Sequence, residues 1–137
     1  MHTCIFCKII AGEIPNYTVY EDDYTLAFLD IYPTTKGHTV VIPKVHTETV
    51  LGLNEAFTKE FFAGVKRTQE KIAQVLSPDG FNIGWNQGDA GGQAVKHLHV
   101  HILPRWNGDG GGSMHSIVKK ESDVSVQDIA NLFAKKD

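Results

Sequence analysis

Three histidines at two-residue spacing, His97, His99 and His101, interrupt an otherwise apolar run, with Leu98 and Val100 between them and Ile102 and Leu103 beyond. This pattern, closed by Pro104, predicts a β-strand over 97–103. Alternate residues of a strand share a face, so the imidazoles form a row about 7 Å apart while Leu98 and Val100 turn the other way. Imidazole serves as proton carrier, nitrogen nucleophile or metal ligand near neutral pH. Three in succession would be a costly filling for a core, so the row reads as a site.

A second group able to do chemistry is Cys4-Ile5-Phe6-Cys7. In a reducing compartment such a pair reads as metal ligation or redox chemistry rather than as a structural disulfide. Phe6 between the cysteines is unlike a thioredoxin site, and no βαβ pattern follows. A structural zinc takes four ligands, commonly two cysteines and two histidines, so this pair needs two partners from elsewhere.

The elements that must position these groups are legible in outline. Residues 7–12 predict a short helix ended by Gly12. Residues 17–20 and 25–30 predict strands around the acidic turn Glu21-Asp22-Asp23, and 38–42 a third strand ended by Pro43. One long helix is predicted from Asn54, a plausible N-cap, to Leu76, with Ser77-Pro78 as its stop. Phe57, Phe61, Val65, Ile72 and Leu76 form its apolar stripe, which reads as core. Residues 81–85 predict a fourth strand, 97–103 the fifth, and 124–136 a short amphipathic helix using Val126, Ile129, Leu132 and Phe133. The result is an α+β fold with the long helix on one face of an antiparallel sheet.

The chain has 137 residues, 42% hydrophobic and 21% charged, which suits one globular domain. A net charge of -3 argues against general attraction to nucleic acid, although a nucleotide remains possible as a small ligand. No apolar run approaches the roughly 20 residues that span a bilayer. The first residues lack the pattern of a secretory leader, so a cytoplasmic location is expected.

Read on their own, Asp30 is a strand-end or turn residue, Phe28 and Ile31 are core, His38 is a structural strand residue, and the Gly92-Gln93 turn is a weak signal. Together with the triplet they mean more. His97-Leu98-His99-Val100-His101-Ile102 resembles the signature of the histidine triad family of nucleotidyl hydrolases and transferases. Phe28-Leu29-Asp30-Ile31, Gly37 to Lys44 and Gly91 to Val95 resemble its other blocks, in the same order. The likeness covers about Cys4 to Asp109 and is nearest to the small HINT-type members. Val95-Lys96-His97 and Leu103-Pro104-Arg105 are also similar to the fragile-histidine branch. It leaves 110–137 as a C-terminal extension with a short helix, entered through the glycine-rich stretch Gly108 to Gly112, which is expected to be flexible.

The resemblance implies a fold of about five antiparallel strands, one long helix and short terminal helices. It also implies a purine nucleoside phosphoramidase or nucleotidyl hydrolase acting at the α-phosphorus through a covalent nucleotidyl-histidine. His99 is then the nucleophile. A neutral imidazole can attack phosphorus without first losing a proton from its attacking nitrogen. His101 donates to a phosphoryl oxygen or the leaving group, and His38 supports the row from behind, so the candidate catalytic set is His99, His101, His38 and His97. Asp30 corresponds to the acceptor of the ribose hydroxyls, Phe28 and Ile31 to the base pocket, and Asn86, Gly92 and Gln93 to groups that hold phosphate. With His99 and His101 these make the nucleotide-binding set. The resemblance also supplies the missing ligands of a structural zinc, Cys4, Cys7, His46 and His97, with ligation as the favoured role for His97. It implies a homodimer, with Trp106, Met114 or His115 reaching across the twofold axis, and ligands such as AMP derivatives. One departure is Ala94, where many relatives carry a serine or threonine hydroxyl that assists the leaving group.

Two readings compete within the resemblance: a dinucleoside polyphosphate hydrolase, and a nucleotide-binding interaction module with weak catalysis. A third, from the residues alone, is a metal-dependent hydrolase with the triplet as ligands to a catalytic ion.

Overall fold

Strand alternation divides the sheet into two faces, and the histidine row lies on only one of them. The computed structural model describes residues 3–135, so His2 and Lys136, the last residue of the expected terminal helix, lie outside the described residues. The elements are α1 (Ile5–Ile10), β1 (Thr18–Glu21), β2 (Thr25–Leu29), β3 (Thr39–Pro43), α2 (Glu55–Leu76), β4 (Gly80–Gly84), β5 (Val100–Arg105) and α3 (Val126–Ala134), with 3₁₀ turns at Val50–Gly52 and Met114–Ser116. The strands form one antiparallel sheet in the order β1-β2-β3-β5-β4. This is the α+β architecture expected from the sequence.

Ala27, Val41, Val100 and Ile102 point to the first face and pack with Leu98 against Phe61, Val65 and Ile72 of α2. Leu26, Phe28, Val40 and Ile42 point to the second, where Phe6, Ile9 and Ile10 of α1 and Ile14 cover them. The long helix begins and ends where the sequence indicates. The Asn54 side chain accepts from the Phe57 N–H at 2.8 Å, satisfying one of the first-turn donors. Ser77 at φ 50° turns the chain out of the helix before Pro78.

Four local expectations change. The first helix spans Ile5–Ile10, not 7–12, because the Cys4 sulfur caps it by accepting from the Cys7 N–H. The fifth strand begins at Val100, not at His97. β3 pairs only Thr39–Val41 with Ile102–Val100, and upstream of these rungs the Leu98 N–H bonds the Thr47 carbonyl at 2.8 Å. The side-chain alternation nevertheless runs back through Leu98, which is buried with Val100. Pro104 does not end the strand. It lies beyond the last β3 rung, where a missing N–H breaks nothing on that side, and β4 still pairs with it and with Arg105. The glycine-rich loop is held by its own carboxylate. Asp109 accepts from Arg105 at 2.7 and 2.8 Å and from the N–H groups of Trp106 and Gly111 at 3.1 and 2.9 Å. The chain then continues to α3, which buries none of its residues. Among the described residues no helix is long and apolar enough to cross a membrane.

Candidate active site

A carbonyl oxygen can only accept a hydrogen bond, and this fixes the proton on His99. Its Nδ1 lies 2.8 Å from the backbone oxygen of His97, so Nδ1 carries the hydrogen and Nε2 keeps its lone pair. The ring is 8% exposed. Phe6 of α1 packs edge-on against it at 5.1 Å between centroids, and the same phenyl ring contacts His97 and Phe28, each at 5.8 Å. The lone pair of a buried, packed imidazole is thereby aimed by one hydrogen bond and one aromatic contact.

The neighbouring pair is ordered in the same way. The Thr34 N–H donates to His38 Nδ1 at 3.1 Å, which leaves the His38 hydrogen on Nε2. That nitrogen stands 2.9 Å from His101 Nδ1 and donates to it, so His101 bears its hydrogen on Nε2. Asp30 Oδ2 is 3.6 Å from His38 Nε2. Burial lowers the pKa of His38 against the opposing pull of Asp30. Burial, then the neighbouring His99 and His38, lower that of His101 to about 4, again opposed by Asp30. At neutral pH His101 is therefore an uncharged donor, its ring 5.1 Å from that of His99. A lone pair and an N–H stand side by side, which is what attack on phosphorus and support of a phosphoryl oxygen require.

At the other end of the row, His97 is fully buried. Its Nε2 donates to the Pro43 carbonyl at 3.1 Å, which turns the Nδ1 lone pair to the sulfurs of Cys4 at 3.4 Å and Cys7 at 3.6 Å. His46 Nδ1 is 3.3 Å from the Cys7 sulfur. A tetrahedral ion held by two thiolates and two imidazoles needs sulfur–nitrogen separations of about 3.5 Å, from bonds of about 2.3 and 2.0 Å. The four donor atoms, all within 4.8 Å of one another, fit such an ion. Without a metal, burial and then the adjacent Cys4 push the Cys7 thiol up to about 11, so it keeps its proton until a cation displaces it.

Asp30, His38 and His101 also cluster closely enough for a metal. Their hydrogen bonds argue otherwise, because the Thr34 N–H occupies one His38 nitrogen and the required hydrogen occupies the other. Nor do His97, His99 and His101 converge as a joint metal-holding group among the described residues. This geometry counts against the triplet as ligands to a catalytic ion.

The remaining sequence candidates are brought to the same neighbourhood in different ways. Asp30 follows β2, with Oδ1 accepting from the Tyr32 N–H at 2.8 Å. Phe28 is buried under Phe6, whereas Ile31 is largely exposed. Asn86 lines a cavity with His38 and His101. Gln93 braces its own loop: its amide donates to the carbonyls of Glu48 at 2.8 Å and Val95 at 3.0 Å, and accepts from the Gly88 N–H. Gly92 has φ 89°, the left-handed turn that glycine permits. Sequence reasoning missed Phe6 and Thr34 as site residues. Phe6 had a signal, since a pair Cys4 and Cys7 joined to His97 must bring the intervening ring alongside the row. Thr34 acts through its backbone and had none.

An antiparallel five-stranded sheet bearing this histidine row defines a HIT-type protein. The HIT domain profile matches residues 11–108, and the chain belongs to the HIT domain family. It is 45% identical over 137 aligned residues to "Protein hit" of Bacillus subtilis, covering 97% of this chain and 93% of the relative. It is 40% identical over 105 residues to the adenosine 5′-monophosphoramidase of Schizosaccharomyces pombe, covering 77% and 76% of the two chains. The crystal structure of a HIT family member from Bacillus subtilis superposes with a TM-score of 0.84 at 43% identity, covering 98% of this chain and 97% of the other.

The hydrogen-bond directions and pKa shifts make a prediction about protonation. Because the folded pKa of His101 lies below the ordinary value of 6.5, its contribution to stability is complete above about pH 6.5 and is lost as the pH falls through about 4. Nitrogen-15 spectra of the histidine rings are expected to give His99 protonated on Nδ1, and His101 protonated on Nε2 and titrating near 4. A His101 pKa of 6 or above, or the opposite His99 tautomer, would contradict the assignment.

Proposed function

We propose that this protein is a nucleotidyl hydrolase of the purine nucleoside phosphoramidase kind, cleaving at the α-phosphorus through a nucleotidyl-histidine on His99. The observation that carries the reading is the His99 tautomer, with Nδ1–H committed to the His97 carbonyl and the Nε2 lone pair free to attack. In the first step a bond forms from Nε2 to phosphorus as the bond from phosphorus to the leaving nitrogen breaks. The leaving nitrogen takes a proton from solvent and departs as an amine. The imidazolium so formed keeps its Nδ1–H on the His97 oxygen, which offsets its charge. Water then attacks the same phosphorus, the N–P bond breaks, a proton passes to solvent, and AMP leaves.

His101 supports the phosphoryl oxygens with its Nε2–H, and His38 holds His101 in that tautomer. Asp30 is read as the acceptor of the ribose hydroxyls, Phe28 and Ile31 as the base side, and Asn86, Gly92 and Gln93 as the phosphate side. The yeast relative's name as an adenosine phosphoramidase supports adenosine derivatives with a P–N bond as the first substrates to try. AMP release from an adenosine 5′-phosphoramidate should fall by about a thousandfold or more in His99→Ala. Equal turnover by the variant would remove His99 as nucleophile.

Zinc is proposed as a structural ion on Cys4, Cys7, His46 and His97. Bound there, it would tie α1 and the loop after β3 to the start of the histidine row, and its chemistry would be confined to that tie. His97 would hold its Nδ1 toward the ion by donating Nε2–H to Pro43. Metal analysis of the purified protein should find about one zinc per chain, reduced by Cys4→Ser, with a lower unfolding temperature in the variant. Full zinc content in Cys4→Ser would contradict this assignment.

A further inference from the structure

Cys4 and Cys7 stand about one turn apart at the start of α1, Cys4 as its N-cap and Cys7 inside its first turn. Both residues are partly exposed, and their sulfurs belong to the cluster whose donor atoms all lie within 4.8 Å of one another. A disulfide spans Cα atoms about 4.4–6.8 Å apart. Residues three apart on a helix are separated by about 5 Å, so the backbone spacing permits these two sulfurs to join. A disulfide holds its sulfurs about 2.05 Å apart and leaves them without charge. Joined in that way, the sulfurs that now face His97 and His46 turn from the imidazoles to each other.

Two routes lead from this cluster to the residues read above as the nucleotide site. The first runs through Phe6, which lies between the cysteines and sets its ring edge-on against His97, His99 and Phe28. A shift in the first turn of α1 therefore moves the wall of His99. The second runs through the loop after β3. His46 meets the His97 ring edge-to-face at 5.1 Å. Next to it, the carbonyl of buried Thr47 accepts from the Leu98 N–H at 2.8 Å, and the Glu48 carbonyl accepts from the Gln93 amide at 2.8 Å. Gln93 in turn accepts from the Gly88 N–H. Residues 46–48 thus tie the histidine row to the turn that carries Gly92. Both routes begin at the sulfurs.

We propose that Cys4 and Cys7 are a peroxide-sensitive pair whose oxidation to a disulfide releases His46 and His97 from the sulfurs and thereby weakens nucleotide binding. The inference rests on the readings of the cluster and of the nucleotide site given above. Its oxidant is hydrogen peroxide, which takes two electrons. The Cys7 sulfur, on the exposed side beside His46, attacks one peroxide oxygen. An S–O bond forms, the O–O bond breaks, and the other oxygen leaves as water after gaining a proton. Cys4 resolves this state, its sulfur being held near Cys7 by the Cys7 N–H at 3.4 Å. It attacks the Cys7 sulfur, the S–S bond forms, the S–O bond breaks, and that oxygen takes a proton and leaves as a second water. Two thiolates, one peroxide and two protons thus give one disulfide and two waters. The disulfide has no thiolate to offer a cation, so a bound metal ion departs. A dithiol restores the pair by exchange.

The test treats the reduced protein with hydrogen peroxide and follows its thiols, its zinc and its affinity for AMP. The intact mass is expected to fall by two hydrogens with loss of both thiols, and zinc to pass to a chromogenic chelator. The calorimetric Kd for AMP is expected to rise by about tenfold, and to return once a dithiol and zinc are added. The double variant Cys4→Ser, Cys7→Ser cannot form the disulfide, so peroxide is expected to leave its own AMP affinity unchanged. A disulfide that leaves the Kd within about twofold of the reduced value would overturn the proposal. So would oxidation to sulfinic acid, or a disulfide between chains. If the double variant does not fold, a loss in the native protein that a dithiol and zinc fail to reverse overturns it instead. If the native protein holds no zinc, the metal assignment falls, and thiol count with AMP affinity still decides the pair. If the reduced protein binds no AMP, the nucleotide reading falls, and nitrogen-15 shifts of the His46 and His97 rings decide: rings altered by the disulfide support their release, and unaltered rings overturn it.

Discussion

The site depends on the one-way character of hydrogen bonds to backbone oxygen. The His97 carbonyl can only accept, so His99 must place its hydrogen on Nδ1 and present a lone pair at Nε2. The Pro43 carbonyl acts on His97 in the same sense and turns the opposite nitrogen, Nδ1, to the cysteine sulfurs. A backbone N–H, that of Thr34, sets the sense of the third chain, through His38 to His101. Four imidazoles of like composition thereby acquire different capacities without any charged partner in direct contact with His99. Low pKa values for His38 and His101 follow from the same burial and keep the donor at His101 from becoming a cation that repels its neighbours.

Sheet alternation makes this arrangement compatible with a stable core. One face of β5 gives Val100 and Ile102 to α2, and His101 between them turns to the other face, in line with His99 just upstream of the strand. On the second face α1 covers the β2 and β3 side, and residues 111–117 cover the β4 and β5 side, leaving the row between two walls. Phe6 joins the first wall to the row directly, since one ring touches His97, His99 and Phe28. The cysteines that flank it lie beside His97, so the four-donor cluster and His99 are mechanically adjacent. A structural ion there would stiffen the end of the row farthest from His101.

Much of this was legible in local pattern. The alternation of His97 to Ile102 gave the two faces, and Asn54 and Ser77-Pro78 bracket the long helix as the structure has it. The Cys4 and Cys7 spacing pointed to a metal cluster short of two ligands; the family resemblance named His46 and His97, and both stand beside it. What escaped the sequence was set by contacts between distant backbones. The start of β5 at Val100 depends on how far β3 reaches, the His38 tautomer depends on the Thr34 N–H, and the ordering of Gly108 to Gly112 depends on Asp109 reaching back to Arg105. The glycines suggested freedom, but two charge-assisted hydrogen bonds outweigh it. Gly84 shows the converse: its bare backbone admits the Met114 methyl, and no pattern in its own neighbours reveals that.

The central claim is that His99 itself becomes bonded to phosphorus, and the stereochemical course of hydrolysis addresses it most directly. The substrate would be an adenosine 5′-phosphoramidate made chiral at the α-phosphorus by sulfur, hydrolysed in oxygen-18 water. Attack by His99 followed by attack of water is two in-line displacements, so the account expects overall retention of configuration. Inversion would mean that water attacks phosphorus in a single step, and would contradict the nucleotidyl-histidine.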